Sequence, residues 1–269
     1  MIATFKEARV EGRLRLLVEA ESLFNDATAA VGFAVAIAFA LGQSFGFASA
    51  IWMMIFSVFG GAACGLLISG AVLLLSTRTR DHLVEISLTT IAAFGSFLLA
   101  EHFHLSGILA TMTAGLLVGN TSSLKFISHK GAESIESFWE FAAFVANSIV
   151  FIVLGINTAY QGFTQTIFPI SVAILAVVLG RAIAIYPCSA LFDRSSLKID
   201  KKHQHVLFWG GLRGALALAL ALGIPPELPY RQEIILVTFG VVAFSIFAQG
   251  LTMTPFLRRL GQIPHQKEV

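Results

Sequence analysis

The chain has 269 residues, 56% hydrophobic and 13% charged, with a mean hydropathy of +0.81 and a formal net charge of +2. A soluble domain carries about 25% charged residues, so this composition excludes a water-soluble fold and describes an all-α polytopic membrane protein. The basic residues are scattered between apolar stretches and form no basic face, which excludes nucleic acid as a partner.

Eight apolar segments follow in chain order, at about 16–41, 49–75, 83–100, 105–119, 138–158, 166–191, 205–223 and 232–256. A spanning helix needs roughly 20 apolar residues, so the fourth is short for a full crossing. The loops test the count, because cytoplasmic loops collect Lys and Arg. Lys6, Arg9, Arg13 and Arg15 precede the first segment. Arg78 and Arg80 follow the second, Lys125 and Lys130 the fourth, and Arg194, Lys198, Lys201 and Lys202 the sixth. Arg258, Arg259 and Lys267 follow the eighth. The alternate loops hold Arg231 alone, while Arg181 and Arg213 fall inside segments. Fifteen of the 18 basic residues therefore lie on one side, which predicts eight crossings with both ends cytoplasmic. The start, MIATFKEARVEGRLR, is charged and mixed and does not read as a cleavable signal peptide.

The first segment carries Glu21-Ser22-Leu23-Phe24-Asn25-Asp26-Ala27 near its middle. Ionisable groups at bilayer depth are costly and face a cavity or a partner. On a helix Ser22 and Asp26 share a face, and Glu21 and Asn25 share another about 100° round. Ser22, Asn25 and Asp26 can then offer a cluster of oxygens while Glu21 points at a neighbouring helix. Asp26 is about ten residues into its segment, roughly 15 Å deep at 1.5 Å per residue. It reads either as a salt-bridged structural acid or as a carboxylate that exchanges a proton for a cation.

The second segment contains Gly60-Gly61-Ala62-Ala63, which permits close helix packing. Glu85 and Glu101 lie near segment ends, where snorkelling or interfacial solvation accounts for them. His102 and His104 are expected at the outer surface. Trp139 is expected at the membrane interface on entry to the fifth segment, and Asn147 and Ser148 within it are expected to bond across to a neighbouring helix. Cys64 and Cys188 both lie in apolar segments and read as buried free thiols.

The seventh segment contains Trp209-Gly210-Gly211-Leu212-Arg213-Gly214-Ala215. Gly210, Gly211 and Gly214 around an arginine predict a broken or kinked helix, of the kind transporters use at midplane sites. Arg213 keeps its proton and needs an acid. Glu21 and Asp26 are the candidates, and assigning Glu21 to Arg213 leaves Asp26 for ion chemistry. Arg181 is a second deep cation, open to pairing with an acid or to capping a helix end. Gln249-Gly250-Leu251-Thr252 is either a break in the last segment or its polar end.

Five stretches resemble the NhaP/NHE type of sodium/proton exchanger, the cation:proton antiporter-1 family. They are ESLFNDATA (Glu21 to Ala29), SGILATMTAGLLVGN (Ser106 to Asn120), GRAIAIYP (Gly180 to Pro187), WGGLRGALALALAL (Trp209 to Leu222) and QGLTMTP (Gln249 to Pro255). They fall in the family's order and cover nearly the whole chain. The resemblance implies a fold of about 13 transmembrane helices in two inverted repeats, a core domain moving against a dimerisation domain, and a homodimer. It also implies exchange of Na+ (with Li+ or K+ as alternatives) for H+ in a bacterial plasma (inner) membrane, with no covalent chemistry and no cofactor. By the same resemblance the ion-binding aspartate falls on Asp26, its asparagine on Asn25, its ligating serine on Ser22, and the structural ion pair on Glu21 and Arg213.

In the family about five helices precede this region, the last carrying a Thr-Asp-Pro-type break just before a stretch like Ile2-Ala3-Thr4-Phe5-Lys6. The resemblance therefore implies the C-terminal part of an exchanger. Residues 1–45 would be the last helix of the first core repeat, 46–80 the connecting helix, 81–160 the dimerisation-domain helices, and 161–269 the second core repeat with a short tail. An inactive membrane fragment or scaffold lacking the preceding helices is the alternative reading. An intramembrane hydrolase is disfavoured, since neither His102 nor His205 has a spacing that sets it beside Ser22.

Overall fold

A computed structural model of the chain describes residues 12–42, 46–79, 81–121, 127, 129–159, 163–195 and 197–262. Lys6, Arg9, Arg80, Lys125, Lys267 and the stretch from Ile2 to Lys6 lie outside them. The described chain is helical: α1 (Arg13–Ala40), α2 (Phe47–Ser76), α3 (His82–His102), α4 (Gly107–Thr121), α5 (His129–Ala159), α6 (Phe163–Leu191), α7 (Lys201–Trp209), α8 (Ala215–Leu222) and α9 (Arg231–Phe244), then a π-helical turn (Ser245–Gly250) and α10 (Leu251–Arg259).

Eight spans were expected, and fewer continuous helices reach spanning length. Among the described residues, six helical stretches are long and apolar enough to cross a membrane: α1, α2, α3, α5, α6 and the continuous run from α9 through α10. The fourth segment, α4, has 15 residues, about 22 Å of helix against a hydrocarbon core of about 30 Å. The seventh is divided into α7 and α8, because the chain leaves the helix between Trp209 and Ala215. Gln249 and Gly250 do not end the last span, since the π-helical turn passes through them into α10.

The chain divides into two compact units, one from the described residues of Met1–Phe24 and Val150–Val269, the other Asn25–Ile149. In the second unit α2, α3 and α4 pack on one another. Small residues let their backbones approach. A Cβ on Gly61 would meet the Ser106 carbonyl oxygen at 2.5 Å, and one on Gly65 would overlap the Ala110 carbonyl oxygen. These two glycines, four apart on α2, face α4 with nothing wider than hydrogen between the chains. Around them lie Cys64, Ala100 and Ala110, and a further cluster of Ala27, Val31 and Leu109. Gly65→Ala is expected to force α2 from α4 at a cost of about 1–3 kcal/mol. Gly70→Ala, on the same helix with nothing within 4 Å of its Cβ, is the matched control. Thermal unfolding in detergent compares them, and equal stability of the two variants would refute the close-approach account.

Several polar residues of this unit differ from expectation. Glu85 is buried, 1% exposed, so it does not snorkel. It sits in the first turn of α3 behind the Asp81 cap, whose carboxylate accepts from the Leu83 N–H at 2.8 Å, and a carboxylate is favoured at that positive helix end. Trp139 spends its indole N–H on Thr89 Oγ1 at 3.0 Å, a contact between helices. Ser148 donates to Phe144 of its own helix at 2.8 Å, because an i−4 carbonyl satisfies a serine hydroxyl without a neighbour.

The first unit has two cores. Leu14 and Val18 of α1 meet Val206 and Leu207 of α7 and Met253 and Leu257 of α10. Leu154 of α5 meets Leu218 and Ala221 of α8 and Ile235 and Val242 of α9. Each half of the broken seventh segment thus belongs to a different core, which fixes the two halves independently. At one end of this unit Arg13 donates to the Leu197 carbonyl at 2.7 Å, and His203 Nε2 lies 3.2 Å from Gln262 Oε1. Basic segments expected on one membrane side therefore meet there. Cys188 is exposed on α6, not buried, while Cys64 is buried.

Candidate functional site

The seventh segment cannot run as one helix, and its break opens two sets of backbone groups. A helix end leaves its last carbonyls without intrahelical partners, and a helix start leaves its first N–H groups likewise. The carbonyl end here is the last turn of α7. Arg181 of α6 reaches it: Nε donates to Leu207 O at 3.0 Å and to Phe208 O at 2.9 Å, and Nη2 donates to Leu207 O at 2.6 Å. A cation at a helix C-terminus is also favoured by the helix dipole.

The same guanidinium faces α1. Nη1 donates to Glu21 Oε1 and Nη2 to Glu21 Oε2, each at 3.0 Å. The side chains are 7% and 24% exposed, so the pair sits largely out of solvent. A planar fork meeting both oxygens of a carboxylate is the geometry that arginine provides and lysine does not. Arg181 thereby ties α1, α6 and the end of α7 together.

Glu21 was expected to meet Arg213; in the structure it meets Arg181 through both carboxylate oxygens. Both Glu21 oxygens are taken by Arg181, which comes from an unbroken helix and can present its fork squarely. It also answers the question left open for Arg181, which pairs with an acid and caps a helix end at once. Arg213 lies in the non-helical stretch between α7 and α8, where its main-chain N–H donates to Ser245 Oγ at 2.8 Å.

The glycines of the break have separate reasons. None adopts a left-handed φ: Gly210 has φ −78° and Gly214 φ −125°. Gly211 is needed for room, since a Cβ there would overlap Nε and Cζ of Arg181. Gly214 has nothing within 4 Å of such a Cβ. Gly211→Ala is therefore expected to displace Arg181 from Glu21 and the α7 carbonyls, lowering stability by about 1–3 kcal/mol. Gly214→Ala is expected to change it little, and detergent thermal unfolding of the pair decides this. A harmless Gly211→Ala would show that Arg181 has room to move aside.

Ser22, Asn25 and Asp26 all lie on α1, Ser22 one turn before Asp26. Ser22 and Asn25 are half-buried and Asp26 is exposed. Thr28 donates to the Asn25 carbonyl at 3.1 Å, which is local helix chemistry. A hydroxyl, an amide and a carboxylate within five residues form an all-oxygen set suited to a hard monovalent cation.

Sequence reasoning missed Ser245, which holds the N–H side of the break, and the Trp209 indole N–H that donates to Thr252 Oγ1 at 2.9 Å. The signal was there in principle. A break predicted at Gly210–Gly214 demands a donor for one open end and an acceptor for the other. A groove of about 650 Å³ in the same unit, lined by Tyr186, His205, Phe208 and Trp209 among others, contains none of the expected ion-binding residues.

Comparison with known proteins agrees with the motif pattern. Residues 1–259 match the protein family described as "Sodium/hydrogen exchanger, transmembrane". The Na(+)/H(+) antiporter ApNhaP of Aphanothece halophytica is 38% identical over 98% of this chain and 51% of its own length. The low-affinity Na(+)/H(+) antiporter NhaS1 of Synechocystis is 36% identical over 100% of this chain and 52% of its own. The Na(+)/H(+) antiporter NhaH of Halobacillus dabanensis is 32% identical over 98% and 65% respectively. The chain spans about half the length of the first two of these curated relatives.

Proposed function

The chain belongs to the sodium/hydrogen exchanger family, a family of transporters and not of enzymes, and on that premise we propose that it carries the exchange site of a secondary antiporter moving Na+ against H+. Asp26 is the exchanging carboxylate, with Ser22 and Asn25 supplying neutral oxygens. The observation that carries this reading is the division of labour along α1. Glu21 is committed to Arg181, and within the next turn Ser22, Asn25 and Asp26 follow with chemistry that the ion pair does not use.

A carboxylate holds a proton or a monovalent cation, not both. Occupancy by one lowers the affinity for the other by the same factor. Binding Na+ on one side of the membrane and H+ on the other then gives exchange without any covalent step. A membrane orientation with both chain ends cytoplasmic in a bacterial plasma membrane goes with this proposal, supported by the grouping of Arg13, Leu197, His203 and Gln262 at one end of the first unit. Residues 161–269 are assigned to the second core repeat and 81–160 to a dimerisation domain, with a homodimer as the working assembly.

The test is sodium-driven proton movement in proteoliposomes holding the chain, with a pH-sensitive dye inside and Na+, Li+ or K+ added outside. Collapse of a preset pH gradient by Na+ supports the proposal. A response to K+ alone would replace sodium by potassium, and no response to any of the three would favour a membrane scaffold.

A further inference from the structure

The break between α7 and α8 is held from both ends, and only one end belongs to the ion pair described above. We propose that Ser245 is a positioning residue for ion exchange, fixing the conformation of residues 210–214 through its bond to the Arg213 main chain. This rests on the antiport reading and deepens it by naming what holds the broken helix in register.

The geometry is specific. Ser245 is 1% exposed, and its Oγ accepts from the Arg213 N–H at 2.8 Å. That N–H lies just before α8, where the chain has no helical acceptor of its own. Ser245 opens the π-helical turn that runs to Gly250. In such a turn hydrogen bonds run from i to i+5, so residues four to five apart share a face. Ser245 and Gln249 are both buried accordingly, while Ile246 and Phe247 between them are exposed. Gly250 brings this stretch beside Leu212, whose Cδ2 would lie 4.0 Å from a Cβ there. One turn further Thr252 accepts from Trp209, the last residue of α7. The π turn and the start of α10 therefore bond to the chain on both sides of the break, at Trp209 and at Arg213. π turns are rare and recur at functional sites, and this one gives its polar side chain to a backbone group that the seventh segment leaves open.

The oxygen at Ser245 thus sets where the chain turns into α8, and with it the direction in which Arg213 leaves the backbone. Losing it frees the non-helical stretch while removing no side chain of the Glu21–Arg181 pair or of the exchange site. A merely structural serine would, on removal, lower the amount of folded protein and leave the sodium dependence of the remainder alone.

The experiment compares wild type, Ser245→Ala and Ser245→Thr by two readouts in the full chain. In amide hydrogen exchange, Ser245→Ala is expected to speed exchange at residues 210–214 by about tenfold, the size of one lost hydrogen bond, with Ser245→Thr close to wild type. In proteoliposomes, Ser245→Ala is expected to raise the KM for Na+ several-fold with a smaller change in kcat, and Ser245→Thr to restore it. Unchanged exchange in Ser245→Ala overturns the clamp. Faster exchange with an unchanged KM overturns its role in transport. A wild-type chain that moves no ions overturns the antiport reading and the transport half of this one, while the exchange comparison still decides the clamp.

Discussion

Asp26→Asn is expected to reduce sodium-driven proton movement to the level of empty liposomes. Asparagine keeps the shape, a carbonyl oxygen and the helix, but it cannot bind a proton in this pH range and brings no charge to a cation. If exchange is competition for one carboxylate, removing the charge removes both halves of the cycle together, and no pH or sodium concentration restores it. Detergent thermal unfolding of Asp26→Asn beside wild type separates loss of chemistry from loss of protein. Asp26→Glu keeps the carboxylate on a longer arm and is expected to retain reduced exchange. Wild-type rates in Asp26→Asn, with the protein folded, would move the exchanging group elsewhere.

The largest stability effect is expected at Arg181. Arg181→Ala leaves the Glu21 carboxylate and the carbonyls of Leu207 and Phe208 without the donors that now reach them. Removing one partner of a buried charge pair costs about 3–5 kcal/mol. At 24% exposure the Glu21 side chain is not fully enclosed by protein, which places this case toward the low end. Arg181→Lys is expected to recover only part, because a point charge cannot face two carboxylate oxygens and two carbonyls at once. A double-mutant cycle in detergent unfolding assigns the pairing. Glu21→Ala with Arg181→Ala should cost less than the sum of the singles, with a coupling of about 1–3 kcal/mol. Strong coupling of Glu21 to Arg213 and none to Arg181 would make Arg213 the partner of Glu21.

Some of this was legible in particular residues. The composition required a helical membrane protein, and the expected segments are helical apart from the interruption in the seventh, because hydrophobic length is a one-dimensional property. The ESLFND and GGLRG stretches pointed to the exchanger family, and the family comparison agrees. The glycines around Arg213 signalled the interruption seen between Trp209 and Ala215, since a deep arginine among glycines is unlike a packing helix.

The pairing of charges was not legible. Glu21 had two cations within its possible reach, Arg181 and Arg213, and nothing along the chain orders them. Which one meets it depends on how α6 crosses α1, and that crossing is set by packing. The same holds for Glu85 and Cys188, whose burial was misjudged in opposite directions, because depth in a segment does not say which way a helix face turns. Membrane class, helical segments and family follow from local composition and residue order. That Arg181 holds Glu21 and the end of α7 while Ser245 holds the start of α8 follows from packing, because satisfying an open backbone group requires a partner that chain order places 26 or 32 residues away.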